Sequence, residues 1–418
     1  MADNSQTNHS AAVRRLLAGN PPDDPDIIGQ LTAGISFLTD FWREHYLSEY
    51  IRLGGSKIKF LTGSPGSGKS HCLELFLKQA ADDGFVAVPL SAKTMRLDDF
   101  KEIYCFVYNA AEFPFYLGQC AKKIISEMGF EPSEVPEGMT FADHLAEQRL
   151  LDPLTKREIR YQLNLMFMQN PKIDNNFALC CSLLTGDLLG YPTLEPNNRE
   201  LLFSWLSATK QYRLSDYRKL GFSPARITKH NARHMLRSLV EIIKISGYFG
   251  LVVGVDNLEA LMGGGLDAIR YTKPKREDAY ESIRELIDEI DTLQNTMFVF
   301  AFDAKLAEDE TAGLKSYQAL WMRIQNEIEG ERFNRFCDMA NLDRLAAQEY
   351  GGAVVAAISA GLADVVNTFG PGEGQEDIVP LDLDSADMFA EHLKSVSASV
   401  PRKISRMTFK ERGSVVVW

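Results

Sequence analysis

Gly63-Ser64-Pro65-Gly66-Ser67-Gly68-Lys69-Ser70 fits the pattern GxxxxGK[ST] without a gap, and each of its positions has a physical task. The glycines let backbone N–H groups converge on phosphate oxygens, and a helix starting behind them adds the positive end of its dipole. Lys69 is placed to reach the β and γ phosphates, and the Ser70 hydroxyl to ligate Mg²⁺. On one flank, Lys57-Ile58-Lys59-Phe60-Leu61 predicts a strand; on the other, Cys72-Leu73-Glu74-Leu75-Phe76-Leu77 opens a helix. Strand, glycine-rich loop and helix in that order imply a P-loop NTPase that binds ATP and Mg²⁺ through residues 63–70.

Working outward, residues 1–26, with Asn20-Pro21-Pro22-Asp23-Asp24-Pro25, carry little periodicity and predict a flexible arm. Ile28, Leu31, Ile35, Leu38 and Trp42 follow one helical stripe, ended by Gly54-Gly55. Phe85-Val86-Ala87-Val88-Pro89-Leu90 predicts a second buried strand. The pattern then turns helical, interrupted by prolines, and predicts a large insertion over about 97–246. Its last helix, through Met235, Leu236, Leu239, Val240, Ile242 and Ile243, stops at Gly247, where a left-handed cap belongs.

Gly250-Leu251-Val252-Val253-Gly254-Val255-Asp256 is a third strand, ending on a carboxylate. A helix through Tyr280, Ile283, Leu286, Ile287, Ile290 and Leu293 leads to a fourth strand, Met297-Phe298-Val299-Phe300-Ala301-Phe302-Asp303. Strands alternating with helices imply an α/β fold with a parallel central sheet covered on both faces. Residues 27–342 thus form the nucleotide-binding core. After them an Ala-rich stretch, the linker Pro371-Gly372-Glu373-Gly374 and a Lys/Arg-rich end predict a small C-terminal lid or winged-helix-like domain over 343–418.

Hydrophobic residues at 45% and charged residues at 24% argue for a globular chain rather than a disordered one. No run approaches the ~20 apolar residues that cross a bilayer, and the polar residues 1–10 lack a signal-peptide core. A cytoplasmic protein with no membrane partner is expected. Cys72, Cys105, Cys120, Cys180, Cys181 and Cys337 form no CxxC pair and have no His at zinc-ligand spacing, so reduced thiols are expected. A net charge of −12 excludes general attraction to nucleic acid and leaves only local contacts.

Mg²⁺ needs a carboxylate at a neighbouring strand tip, and Asp256 ends the most apolar strand. Hydrolysis needs a group to orient water, usually a glutamate directly after that aspartate; here the position is Asn257, whose amide is a poor proton acceptor. Glu259 is the nearest substitute, either as catalytic acid–base or as a structural acid. Asp303 either senses the γ-phosphate or caps the segment after its strand. Arg323, in Tyr317-Gln318-Ala319-Leu320-Trp321-Met322-Arg323, and Arg402, in Val400-Pro401-Arg402-Lys403-Ile404, either stabilise phosphate charge, in cis or across the boundary of a homo-oligomer, or are surface residues. Lys210, Arg213, Arg218, Lys219, Arg226, Lys229, Arg233 and Arg237 surround a single acid, Asp216. They form either a local contact for double-stranded DNA, with Tyr212 and Tyr217 to stack, or a solvated face that docks an acidic partner. The segment from Arg402 to Arg412 is a second candidate DNA contact.

The ordered string of features resembles the ATP-binding P-loop proteins of bacterial BREX phage-defence systems, of BrxD type. The likeness runs from Phe60-Leu61-Thr62-Gly63 through Lys69-Ser70-His71, Phe100-Lys101-Glu102-Ile103-Tyr104 and Leu202-Phe203-Ser204-Trp205-Leu206. It continues through Gly247-Tyr248-Phe249-Gly250-Leu251-Val252-Val253, Asp256-Asn257-Leu258-Glu259, Arg276 with Tyr280, and Gly313 followed by Tyr317, Leu320 and Arg323. The resemblance implies an AAA+-like core related to origin-recognition and STAND ATPases, nucleotide contacts extending to His71, and other defence proteins as partners. The family pattern has Asp-Glu-Leu-Glu where this chain has Asp256-Asn257-Leu258-Glu259, a departure that bears on turnover and leaves binding intact. Three functions are expected: a defence-associated ATPase or ATP-dependent switch, a non-hydrolysing nucleotide-dependent scaffold, and a small-molecule phosphotransferase.

Overall fold

The computed structural model describes residues 11–14, 16, 24–209, 212–223, 226–263, 269–325, 333–369, 378–396 and 399–408. Its centre is a five-stranded sheet of β1 (Ser56–Gly63), β2 (Val86–Ser91), β3 (Leu251–Asp256), β4 (Thr296–Asp303) and β5 (Met339–Asn341), in the order β2-β3-β4-β1-β5. Every pairing is parallel, as expected. The period-2 alternation of β4 divides the core. Phe298, Phe300 and Phe302 point to one face and Met297, Val299 and Ala301 to the other, all fully buried. Phe300 stacks on Phe60 of β1 at 5.6 Å between ring centres, which locks the two central strands through cross-strand aromatic packing. β5 was not expected from sequence; it is three residues long and pairs only with Phe60, Leu61 and Thr62.

The single helical stripe expected beyond Ile27 is instead two helices. Pro25–Gln30 and α1 (Ser36–Trp42) are parted by a turn, and a π-helical segment, Arg43–Ile51, comes next. Gly34 makes the turn at φ +80°, with the Tyr350 ring 2.5 Å from where a Cβ would stand. Behind the glycine-rich loop, α2 (Lys69–Asp82) buries Leu73, Phe76 and Leu77 on the second sheet face. Gly254 permits its approach, since a Cβ there would lie 2.8 Å from Leu77 Cδ1.

The insertion between β2 and β3 is helical and ends in α3 (Ala232–Ile245), followed by Gly247 at φ +106°. Its helices bury Tyr104, Phe113, Phe177 and Trp205 against the first face. Tyr217, expected as an exposed stacking ring, is buried in this cluster beside Phe222 and bonds Ser204 Oγ at 3.3 Å. Before β4 comes α4 (Lys273–Glu289), and after it α5 (Gln318–Ile324).

Past β5 the described elements are four helices, α6 (Leu342–Glu349), α7 (Gly352–Phe369), α8 (Leu383–Val396) and α9 (Val400–Thr408). They share a third apolar cluster with Ala12, Val13 and Leu16, three buried residues of the stretch expected to be an arm. Contrary to the expectation from sequence, one described helix, α7, is long and apolar enough by length and composition to cross a bilayer. Its Val355, Leu362, Ala363, Val365 and Val366 are buried in this cluster.

Candidate nucleotide-binding site

The carboxyl ends of β1, β3 and β4 converge on the glycine-rich loop, where ligands bind in open parallel sheets. Gly66 and Gly68 take φ +85° and +91°, and Gly68 is the left-handed residue from which α2 starts. Register places Gly63 opposite Asp303. Lys69 Nζ donates to the carbonyls of Gly63 and Ser64, each at 2.9 Å, and lies 3.4 Å from Asp303 Oδ1. Asp303 precedes the short helix Ala304–Glu308 but makes no side-chain cap bond to it; of its two expected roles, its carboxylate is turned to the lysine.

Ser70 Oγ donates to Asp256 Oδ2 at 2.6 Å. A hydroxyl and a carboxylate meeting at one point are hard oxygen ligands suited to Mg²⁺, which usually keeps waters and substrate phosphates as its remaining ligands. No group of three or more His, Cys, Asp or Glu able to hold a metal occurs among the described residues.

Asn257 has φ +60°, a left-handed conformation that asparagine tolerates better than most side chains. Its N–H donates to Asp256 Oδ1 at 2.7 Å, and its Oδ1 accepts from Ser91 Oγ on β2 at 3.2 Å. The amide is thus turned toward β2. Glu259 lies in the 3-10 turn Leu258–Met262, and its Oε2 accepts the Asp303 N–H at 3.2 Å, tying the turn after β3 to the tip of β4.

Beside the loop lies a cavity of about 340 Å³, within the ~300–1,000 Å³ typical of small-molecule sites. Leu31 and Ile35, on either side of the turn at Gly34, line it together with Tyr350, Leu362 and Pro401. His71 lines it too, but its Nε2–H donates to the Leu31 carbonyl at 2.8 Å, and desolvation holds its pKa below the ordinary imidazole value. The ring is therefore a neutral strut under the Leu31 wall. Arg402 crosses the loop: its N–H donates to Gly66 O at 3.2 Å, and a Cβ on Gly66 would lie 2.6 Å from Arg402 Cδ.

Lys69, Ser70, His71, Asp256, Asn257, Glu259, Asp303 and Arg402 are thus brought together around residues 63–70. Arg323 is not. It sits on α5 in a bidentate pair with Asp288, at 2.5 and 3.0 Å. Asp288 is near the end of α4 that feeds the amino end of β4, about 20 Å along that helix from its start near the carboxyl edge. In the basic stretch, Arg233 pairs with Glu285 and Glu289, and Arg226 donates to Tyr212 O. Arg213, Arg218, Lys219 and Lys229 are exposed. Lys210 and residues 409–412 lie outside the described residues.

The cavity walls at Leu31, Ile35 and Tyr350 went unforeseen, as did Asp343, whose carboxylate accepts both Ser64 N–H and Ser64 O–H. These residues carry no local signal, since only tertiary packing delivers them to the loop.

A family model described as BREX system ATP-binding protein BrxC/D matches residues 43–352. No curated protein and no solved structure gives a match. The matched span covers the loop and all five strands, whereas Leu31, Ile35 and α9 fall outside it.

Proposed function

The chain belongs to the BREX system ATP-binding protein BrxC/D family, and from that premise we propose that residues 63–70 hold the phosphates of ATP, with Mg²⁺ on Ser70 and Asp256, in an ATP-dependent switch of anti-phage defence. The observation that carries this reading is the convergence of Lys69, the Ser70–Asp256 pair and Asp303 on one loop beside an apolar cavity of nucleoside size. Mg²⁺ would supply charge neutralisation at the β and γ oxygens. Lys69 exchanges its bonds to Gly63 O and Ser64 O for phosphate oxygens, and Asp303 feels that exchange through its 3.4 Å contact. Arg402 adds positive charge from the C-terminal side.

In the hydrolytic form of the proposal, Glu259 orients a water whose oxygen bonds to the γ-phosphorus as the bond to the β–γ bridging oxygen breaks. The water's proton passes to the carboxylate, leaving ADP and phosphate. A second reading, the non-hydrolysing scaffold, is favoured by one observation: Asn257 is turned to Ser91, and Glu259 already serves the Asp303 N–H.

An AAA+-like core draws support from the strand order, in which β4 stands between the loop strand and the Asp256 strand. The four helices of α6–α9 support a helical lid. Arg323 we assign to bracing α5 on α4, and a role across a subunit boundary would require Asp288 to release it. Arg213, Arg218, Lys219 and Lys229 are the exposed cations through which duplex DNA or an acidic defence partner would dock. Six free cysteines suit the reducing cytoplasm.

The test is Mg²⁺-dependent ATP binding and phosphate release for the wild type, Lys69→Ala, Glu259→Gln and Asn257→Glu, with and without duplex DNA. Binding lost in Lys69→Ala, and turnover lost by ~10²-fold or more in Glu259→Gln with binding kept, is the outcome expected of the switch. Tight binding with no phosphate release under any condition establishes the scaffold instead. Absence of ATP binding by the wild type sinks both.

A further inference from the structure

Asp343 is the second residue of α6, where an acidic side chain ordinarily serves its own helix. Here that task is already filled: Asn341 Oδ1 accepts the N–H groups of Asp343 and Arg344 at 2.9 and 3.2 Å. The Asp343 carboxylate is turned outward onto donors. Oδ2 accepts Ser64 N–H at 2.5 Å, and Oδ1 accepts Ser64 O–H at 2.7 Å and Ser399 N–H at 3.2 Å. Ser399 N–H is shared with Ser64 Oγ at 2.8 Å, and Ser399 O–H reaches Pro65 O at 2.7 Å.

An anion beside a site for phosphates is electrostatically unfavourable unless it does something there. Three donors on two carboxylate oxygens also exclude a neutral stand-in, because an asparagine would turn a donor toward another donor. Ser399 is held at φ +58°, a left-handed conformation that a serine keeps only when its surroundings impose it. The surroundings are Ser64, Pro65 and Asp343. Three residues further on, Arg402 meets Gly66.

We infer that Asp343 is a positioning residue for nucleotide binding: its carboxylate fixes the first limb of the phosphate loop and, through Ser64, seats Ser399 so that α9 delivers Arg402 to the loop. The inference rests on the reading that this loop holds ATP phosphates. It adds that the loop and the C-terminal helix are set by one anion contributed by neither.

The experiment is titration of the full chain with Mg²⁺-ATP by calorimetry for the wild type, Asp343→Asn, Arg402→Ala and the double variant, with hydrogen exchange followed over residues 399–408 without nucleotide. Asp343→Asn should weaken ATP binding by about tenfold and speed exchange in that segment. In the Arg402→Ala background the same substitution should cost less, because the part of its effect that passes through Arg402 is already gone and only the part made directly on Ser64 remains. Ser399→Gly, which relieves the left-handed backbone while removing the bond to Pro65, gives the same directions more weakly and serves if Asp343→Asn does not fold. Unchanged affinity and unchanged exchange in Asp343→Asn overturn the inference while leaving ATP binding by the wild type intact. Full additivity with Arg402→Ala overturns it as well. A wild type that binds no ATP removes the underlying reading, and with it the role given to Asp343.

Discussion

At the scale of single residues, Lys59 is the most constrained charge in the core. Its side chain is fully buried in β1, with the three N–H groups of Nζ shared among Tyr46 Oη, Phe336 O, Cys337 O and Asp338 Oδ1, all within 2.8 to 3.2 Å. Burial, opposed by Asp338 and reinforced by Lys57, pulls its pKa from 10.5 down to about 8. Between those values the unfolded chain holds the extra proton, so this group makes stability rise with pH over that window, by on the order of 3 kcal/mol in all. Denaturant midpoints for the wild type and Lys59→Met from pH 7 to 10.5 should therefore shift in favour of the wild type as pH increases. A constant difference across the series would contradict the burial cost assigned here. Asn257 teaches a related lesson: sequence marks it as the residue standing where a glutamate is usual, yet the left-handed backbone adds a second reason for an asparagine. Asn257→Glu thus changes backbone strain as well as chemistry, and its folding should be checked before its turnover is interpreted.

Among the elements, the four long strands were legible because each is an apolar run bounded by glycine or a carboxylate, the pattern of strands buried on both faces. β5 was not, since three residues carry no period, and its pairing is set by β1. The helical stripe beyond Ile27 misled for a different reason: two helices separated by one left-handed glycine keep nearly the same apolar spacing as one continuous helix. Gly34 became readable only beside Tyr350. The loop, Asp256 and Asp303 were legible because motif and strand ends are local; Asp343 and the cavity walls, brought in by distant packing, were not. The packing makes its own forecast. Phe300 is fully buried between Phe60 and Phe298, so Phe300→Ala should lower unfolding free energy by about 3–5 kcal/mol, measured by denaturant titration. Gly254→Val should cost about 1–3 kcal/mol by forcing α2 off the sheet.

For the whole molecule, the informative feature is that both flanks of the core lie over the same loop. Leu31 and Ile35 from before the loop and Pro401 and Arg402 from after the sheet line one cavity beside it, and Ile27 and Val400 share one apolar cluster. A ligand shifts such an arrangement only through its different affinity for the open and closed forms. If the cavity holds the nucleoside, Mg²⁺-ATP should slow hydrogen exchange over 24–35 and 399–408 together. Slowing confined to residues 63–70 would rule out closure as the output of binding.

The same feature has a consequence in time. A ribosome adding ~5–20 residues per second completes the phosphate loop early, yet the residues that close the cavity leave it roughly 330 residues later, on the order of 20 to 70 s afterwards. Through most of that interval the nascent chain carries the glycine-rich loop with Leu31 and Ile35 but still lacks Asp343, Pro401 and Arg402, which complete the surroundings of the loop. A chain cut after β5 would keep all five strands and lose Pro401 and Arg402 from the surroundings of the loop.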